Sequence, residues 1–98
     1  MISIKSSAKE DLRRGYRFYE KQREGLGSYF IDSLFADIDS LLIYAGIHPV
    51  VQGYHRLLAR RFPYAIYYRI FTSEICVVAI LDCRKNPEFQ KRRLPESV

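Results

Sequence analysis

Arginine and lysine side chains in the C-terminal half are the residues whose type and spacing best suggest a binding function. Three strand-like segments and their flanks carry six cations: Arg56, Arg60, Arg61, Arg69, Arg84 and Lys85. Each guanidinium offers a planar set of donors that matches the oxygens of a phosphate group. If the segments pair as a meander, Arg56 and Arg60 share one face by their even spacing, and the register decides whether Arg61 and Arg69 join them. The alternative is a solvated sheet face without a ligand.

The charge of the chain is concentrated in the same half. The 98 residues carry a net charge of +5. Residues 1–44 hold seven Lys/Arg and seven Asp/Glu, whereas residues 45–98 hold nine against four, a net of +5. This asymmetry favours an anionic partner, either nucleic acid or an acidic protein segment, without choosing between them.

Tyrosines accompany these cations on one segment and could stack on bases. The alternation of side chains along Arg61–Phe71 gives Tyr64 and Tyr68 core parity. Tyr67 has the same parity as the charged side chains. We therefore expect the first two to pack in the core and Tyr67 to be available for stacking.

Other residues that could take part in catalysis or metal binding are scattered rather than clustered. His48 and His55 have no acidic or thiol partner at ligand spacing, and Cys76 and Cys83 do not form the close pairs of a zinc site. We expect structural histidines, reduced packing cysteines and neither metal nor cofactor. The sequence contains no phosphate-binding glycine loop, nucleophile motif or pair of catalytic carboxylates. Asp37, with Asp32 and Asp39, suggests a solvated helix face, whereas Asp82 is expected to pair with a basic neighbour.

Two helices are predicted in the N-terminal half, after a short strand over residues 2–5. Ser7 and Glu10 fit a capping box that starts the first helix, which we expect to end near Glu24, before Gly25-Leu26-Gly27. Ser28 is the expected cap of the second helix, whose apolar residues from Phe30 to Ala45 form one wide stripe. The short break between the helices predicts an antiparallel hairpin.

Three strands and a closing helix are predicted in the C-terminal half. The strands cover residues 54–60, 61–71 and 75–81, and the last is apolar throughout, as expected of a strand in the middle of a sheet. Asn86 and Pro87 suit the cap and first position of a helix that runs to about Arg93. The order β-α-α-β-β-β-α predicts one α+β domain over residues 1–98, with the helical hairpin on one face of a small, mainly antiparallel sheet and the arginines on the other.

Targeting signals are not evident in the sequence. No run of eighteen apolar residues occurs, and the N-terminus lacks the basic and then apolar layout of a signal peptide. The expected location is the cytoplasm, with no membrane partner and no small-molecule substrate.

Two segments resemble one known family. Residues 61–70, RFPYAIYYRI, and residues 79–89, AILDCRKNPEF, are similar to the C-terminal half of RelE/ParE toxins of type II toxin–antitoxin systems. The helical hairpin and its Gly-Leu-Gly break extend the similarity over nearly the whole chain. The resemblance implies the fold predicted above and a cognate antitoxin whose flexible, often acidic segment wraps the hairpin and a sheet edge.

The family resemblance implies two modes of toxicity. RelE-type toxins cut messenger RNA in the ribosome, whereas ParE-type toxins, also known as plasmid stabilisation proteins, inhibit DNA gyrase. If the chain is a nuclease, Arg56, Arg61, Arg69 and Arg84 are the expected catalytic cations. The family's other catalytic positions fall here on Leu58, Ala65 and Phe89, which can neither bind phosphate nor transfer a proton.

The residues therefore favour a ParE-type binding toxin over a nuclease, and DNA gyrase as its target is implied by the family resemblance alone. A third possibility is a binding module of the same fold without toxicity. The residues expected to bind the target are Arg56, Arg60, Arg61, Tyr67, Arg69, Arg84, Lys85, Lys91, Arg92 and Arg93.

Overall fold

A computed structural model of the chain describes residues 1–94, and these residues form four helices and five strands. The helices are α1 (Ser6–Gln22), α2 (Leu26–Asp39), α3 (Leu41–Tyr44) and α4 (Pro87–Arg93). The strands are β1 (Ile2–Ile4), β2 (Val50–Val51), β3 (Tyr54–Leu58), β4 (Tyr64–Phe71) and β5 (Glu74–Asp82). The predicted α+β order is present, with α3 and β2 added in the segment after α2.

The five strands form one sheet in the order β1-β5-β4-β3-β2. β1 is parallel to β5, and every other neighbouring pair is antiparallel, which confirms the predicted meander and the mainly antiparallel sheet. β5 has a neighbour on each side, as its apolar sequence predicts, but β4 holds the central position. None of the described helices is long and apolar enough to cross a membrane.

The helical hairpin of α1 and α2 covers one face of the sheet. Its buried residues meet strand residues on that face in one apolar core: Leu12, Phe30, Leu34 and Ile38 from the hairpin, with Ile66, Tyr68, Val77 and Ile80 from the sheet. The helices approach closely, because a Cβ at Gly15 would lie 2.5 Å from the Phe30 ring. The predicted packing of the hairpin on the sheet is confirmed.

The opposite face of the sheet carries a second apolar cluster, not the open arginine face that we predicted. Ala65, Tyr67, Val78 and Leu81 lie there under α4 and Leu94. A register shift opposite Tyr67 and Tyr68 turns Val78 and Ala79 toward the same cluster. The apolar sequence of β5 therefore serves two cores, one on each face.

Three predicted helix boundaries are wrong in their detail. Ser7 lies inside α1 and donates its hydroxyl to the carbonyl of Val78, at 3.3 Å, so it does not cap the helix. α1 ends at Gln22, and α2 starts at Leu26, before the predicted cap Ser28. The carboxylate of Glu20 accepts hydrogen bonds from the backbone N–H groups of residues 25 and 27, at 3.0 and 2.9 Å. Glu20, and not Ser28, thus provides acceptors for backbone donors at the start of α2.

The long second helix that we predicted is divided at Ser40, whose hydroxyl donates to the carbonyl of Asp37 at 2.6 Å. The wide apolar stripe is also divided. Phe30, Leu34, Ile38 and Leu41 are buried, but Phe35, Leu42 and other apolar residues remain exposed. Part of the stripe is therefore surface.

The closing helix starts as predicted. The side-chain oxygen of Asn86 accepts from the backbone N–H of Phe89 at 2.9 Å, and Pro87 occupies the first helical position. The strand boundaries differ more, because β3 ends at Leu58 and β4 begins at Tyr64. Arg60 and Arg61 thus lie in a loop, and the parity argument that placed them on a strand face does not apply.

Candidate functional site

Arg56 and Arg69 lie on the face of the sheet that α4 partly covers. β3 and β4 place Arg56 opposite Tyr67 in the antiparallel register. The Arg69 guanidinium lies over the Tyr54 ring, 4.1 Å from its centroid, and its Nε donates to the carbonyl of Gly53 at 3.2 Å. Arg69 is thereby fixed along the sheet.

Three of the predicted cations converge on one cavity, which we call the basic pocket. Arg56, Lys85 and Lys91 line it between the β2–β3 turn and α4, and its volume is about 290 Å³. None of the three forms a salt bridge with another residue in 1–94. The remaining lining residues are Val51, Gln52, Tyr67, Cys83, Pro87 and Gln90. Such a pocket fits an anionic group.

Two guanidinium nitrogens on this face are buried without a hydrogen-bond acceptor in the described part of the chain. They are Nε of Arg56 and an Nη of Arg69. A buried, charged donor without an acceptor is costly, so an anionic oxygen supplied by a partner would stabilise it. Both donors therefore support an anionic ligand on this face.

Tyr67 belongs to the pocket but is not a stacking surface. Its side chain is 3% exposed, and its hydroxyl donates to Oε1 of Gln90 at 3.1 Å. Burial raises the pKa of this hydroxyl, against the hydrogen bond and the charge of Arg56, which lower it. The prediction that Tyr67 is open for stacking is wrong because α4 covers the ring.

Arg84 lies apart from the basic pocket. Its guanidinium binds Asp82 through two hydrogen bonds of 2.9 and 2.8 Å, and it lies near the Tyr19 hydroxyl at 3.4 Å. The hydrogen bonds that Arg84 donates to the Asp82 carboxylate raise the pKa of Arg84. Burial alone would raise the pKa of Asp82, but hydrogen bonds from Arg84 lower it overall. The predicted ion pair of Asp82 is confirmed, and it neutralises one of the predicted target-binding cations.

Arg93 is a structural residue of the core edge. Its two terminal nitrogens donate to the carboxylate of Asp11 at 2.6 and 2.8 Å, and Asp11 is 5% exposed. Asp11 also accepts from the backbone N–H of Ile80 at 3.0 Å. The pair joins α1, β5 and α4, so this guanidinium is not available to a target.

Two buried aspartates were missed from the sequence. Asp11 is the first, and Asp37 is the second, 5% exposed, accepting from the backbone N–H of Arg60 at 3.1 Å. Asp37 is therefore not part of a solvated face. Each aspartate occupies an apolar-stripe position of its helix, one residue before Leu12 or Ile38. An acid on the core side of a helix is the signal that could have found them.

The histidines surround a tyrosine on the hairpin face. His48 Nδ1 is hydrogen-bonded to the Tyr68 hydroxyl, and the His55 ring stacks on the Tyr68 ring at 5.0 Å between centroids. Burial, followed by the charge of His55, lowers the pKa of His48. These contacts fix the loop before β2, so the structural role expected of both histidines has a concrete basis.

The cysteines are both free. Cys76 is half-buried and packs against the second apolar cluster, whereas Cys83 is exposed. Although Cys83 is exposed as a residue, partial desolvation of its thiol raises the pKa of that thiol, which opposes thiolate formation. Residues 1–94 hold no group of three or more His, Cys, Asp or Glu side chains arranged to bind a metal.

A second candidate surface lies on the outside of the helical hairpin, and we call it the helix groove. Leu12, Tyr16, Ile31 and Phe35 form its apolar floor, and its volume is about 470 Å³. The cations on its rim are Lys9, Arg13 and Arg17. An apolar floor with a cationic rim fits an acidic amphipathic segment.

Comparison with known proteins identifies the family. The family model described as the ParE toxin of the type II toxin–antitoxin system parDE matches residues 2–87. This chain belongs to the ParE toxin family. A solved chain from the chromosomal ParDE toxin–antitoxin system of P. aeruginosa has the same fold, with a TM-score of 0.73 at 20% identity, over 81% of this chain and 90% of that chain. No curated protein sequence matches the chain significantly.

The positions expected to be catalytic in a RelE-type nuclease have no acid–base chemistry in this ParE-family toxin. Leu58 is 55% exposed at the end of β3, Ala65 is fully buried, and Phe89, a residue of α4, packs against the second apolar cluster. Arg60, Arg61 and Arg92 are exposed outside the basic pocket. The ten predicted target-binding residues thus do not form one patch, and Arg56, Lys85 and Lys91 are the cations that the pocket brings together.

Proposed function

We propose that this ParE-family toxin inhibits growth by binding DNA gyrase, and that the basic pocket contributes to the contact. The observation that carries the proposal is that the pocket joins three cations, which form no salt bridge within residues 1–94, to side chains poorly suited to proton transfer near neutral pH. The pKa of Tyr67 and that of Cys83 are both raised. The histidines contact Tyr68 on the other face of the sheet. A site of this kind supports binding better than phosphodiester cleavage. Gyrase as the target also favours the cytoplasm as the location.

The anionic surface that the pocket contacts is proposed to belong to the gyrase–DNA complex. Arg56 supplies the largest share, because its Nε is buried and gains a charge-assisted hydrogen bond on binding. Lys85 and Lys91 are more exposed than Arg56, so salt screens their contribution more strongly. We expect binding to weaken as the salt concentration rises.

Neutralisation by a cognate antitoxin is the second part of the proposal. Membership in a toxin–antitoxin family supports an antitoxin partner, and the helix groove supports an acidic amphipathic segment of it as the occupant. Leu12, Ile31 and Phe35 would receive the apolar face of that segment, and Arg13 and Arg17 its carboxylates. Glu10 now binds both arginines, at 3.2 Å each, so an incoming carboxylate would compete with it.

The test is inhibition of supercoiling by purified gyrase. We expect the unmodified toxin to inhibit, and Arg56→Ala to need roughly tenfold more protein, because one charge-assisted contact is lost. Arg23→Ala, an exposed cation at the end of α1, is the matched control and should inhibit like the unmodified toxin.

Other outcomes would replace the proposal. If gyrase is unaffected and primer extension after brief expression finds codon-phased cuts in messenger RNA, the chain is a ribosome-dependent endonuclease that uses the same cations. If strong expression without an antitoxin leaves colony growth normal, the chain is a binding module without toxicity.

A further inference from the structure

Large apolar side chains cover one end of the molecule and remain exposed. They lie on α3, on the loop after it, on β2 and at the end of β4. We call this surface the α3 patch, and its members are Leu42, Ile43, Tyr44, Ile47, Val50 and Ile70, which are between 42% and 78% exposed. The most exposed of them, Ile43, is 78% accessible. Single exposed apolar residues are ordinary, but six at one end of a small protein indicate an interaction surface.

Contacts through Gly46 and Tyr68 connect the loop after α3, β2 and the end of β4. A Cβ at Gly46 would lie 3.4 Å from the end of the Ile70 side chain, and the Gly46 N–H donates to the Tyr68 hydroxyl at 2.9 Å. Val50 pairs with His55, whose ring stacks on Tyr68. The loop and β2 are therefore held against the end of β4. A surface fixed in this way loses little conformational entropy when it binds.

The size of the α3 patch suits a stable protein interface. Six large side chains that keep about half to three quarters of their surface provide on the order of 600 Å² of apolar area. A standard interface buries roughly 800 Å² on each partner, so the α3 patch with its polar margin reaches that range.

The charge distribution selects the partner. Residues 40–55 contain no Asp, Glu, Lys or Arg, although the chain carries a net charge of +5. Two copies of the chain repel each other over most of their surface, and the α3 patch is where they can approach without opposing like charges. An acidic partner would gain charge complementarity at the helix groove and none here. A two-fold contact between identical patches needs no complementary charge.

We propose that the chain forms a two-fold homodimer through the α3 patch. Leu42, Ile43 and Ile47 of one copy face the same residues of the other. None of the six patch residues lines the helix groove or the basic pocket. The inference does not depend on gyrase as the target.

Sedimentation of the purified, reduced chain without gyrase or antitoxin tests the proposal. We expect a dimer at the upper end of a series from about 1 to about 100 µM, and a monomer throughout for Ile43→Glu, which would bury two carboxylates at the two-fold axis. Phe35→Glu places the same charge in the helix groove and is the matched control, which should remain dimeric. Circular dichroism and thermal unfolding establish that each variant is folded.

A cross-linking experiment keeps the test independent of that charge. With Cys76→Ala and Cys83→Ala as background, Ile47→Cys should form a dimer with a short bismaleimide, and Phe35→Cys should not. An unmodified chain that is monomeric over the whole series would overturn the proposal, and so would an Ile43→Glu dimer. If the free chain is monomeric and Ile43→Glu abolishes binding of the antitoxin, the α3 patch is an antitoxin surface and the homodimer is excluded.

Discussion

The carboxylate of Asp11 joins three elements that are distant in sequence. It accepts from the backbone N–H of Ile80 and from both terminal nitrogens of Arg93, and it is almost completely buried. These bonds hold α4 against β5 and α1. The position of α4 in turn decides which residues line the basic pocket, so a side chain that does not line the pocket influences its shape.

Replacing Asp11 by Ala should therefore destabilise the whole fold. The substitution leaves the Ile80 N–H and the half-buried Arg93 guanidinium without their acceptor, and we expect the free energy of unfolding to fall by about 2 to 4 kcal/mol. Urea denaturation followed by circular dichroism measures the change.

Glu10→Ala is the matched control for this substitution. It removes a neighbouring carboxylate that also binds two arginines, but at an exposed position, and should leave the urea midpoint nearly unchanged. Equal effects of the two substitutions would show that burial does not distinguish these carboxylates.

At the residue scale, the sequence identified the cations but not their partners. Arg84, Arg93 and Arg56 are indistinguishable as arginines in a basic half of the sequence. In the fold, however, Arg84 binds Asp82, and Arg93 binds Asp11, 82 residues away along the chain. Sequence spacing cannot reveal a pair that only the folded chain brings together. The Asp82–Arg84 pair was predictable because its members are two residues apart.

At the element scale, the close approach of α1 and α2 depends on Gly15. Alanine is the better helix former by roughly 1 kcal/mol, but its Cβ would lie 2.5 Å from the ring of Phe30, which is fully buried. We expect Gly15→Ala to lower the free energy of unfolding by about 1 to 3 kcal/mol, as overpacking outweighs helix propensity.

A second substitution separates the two effects. Phe30→Leu replaces the opposing ring by a smaller side chain. The double variant Gly15→Ala/Phe30→Leu should therefore be more stable than the sum of the two single changes predicts. Denaturation of all four proteins completes the cycle. Strictly additive effects would mean that the predicted clash does not form.

The elements themselves were largely predictable from periodicity, because a helix or strand with one apolar face must bury it. The wide stripe of α2 correctly predicted a helix on the sheet, and Asn86-Pro87 correctly predicted the start of α4. The position of α4 was not predictable. It depends on packing over Tyr67, and strand alternation alone cannot distinguish an open face from one covered by a distant helix.

At the scale of the whole molecule, the sheet separates two surfaces of different chemistry. The helix groove lies on the outer side of the hairpin, and the basic pocket lies on the sheet face under α4. An antitoxin segment in the groove and a target at the pocket would therefore not compete for the same side chains. To neutralise the toxin, the antitoxin must then either extend beyond the groove to the basic pocket or sterically block the approach of the target.

Substitutions in the two surfaces should accordingly have opposite effects on growth. Phe35→Glu introduces a like charge for an acidic segment, so we expect it to remain toxic but to lose rescue by the small acidic protein that we expect to be encoded beside this gene. Arg56→Ala should be less toxic yet still copurify with that protein, because its side chain lies outside the groove. Colony growth with and without the acidic protein, together with copurification, measures both properties. Loss of toxicity in Phe35→Glu that is folded by circular dichroism would place the target contact in the helix groove, and loss of copurification in Arg56→Ala would place the antitoxin at the basic pocket.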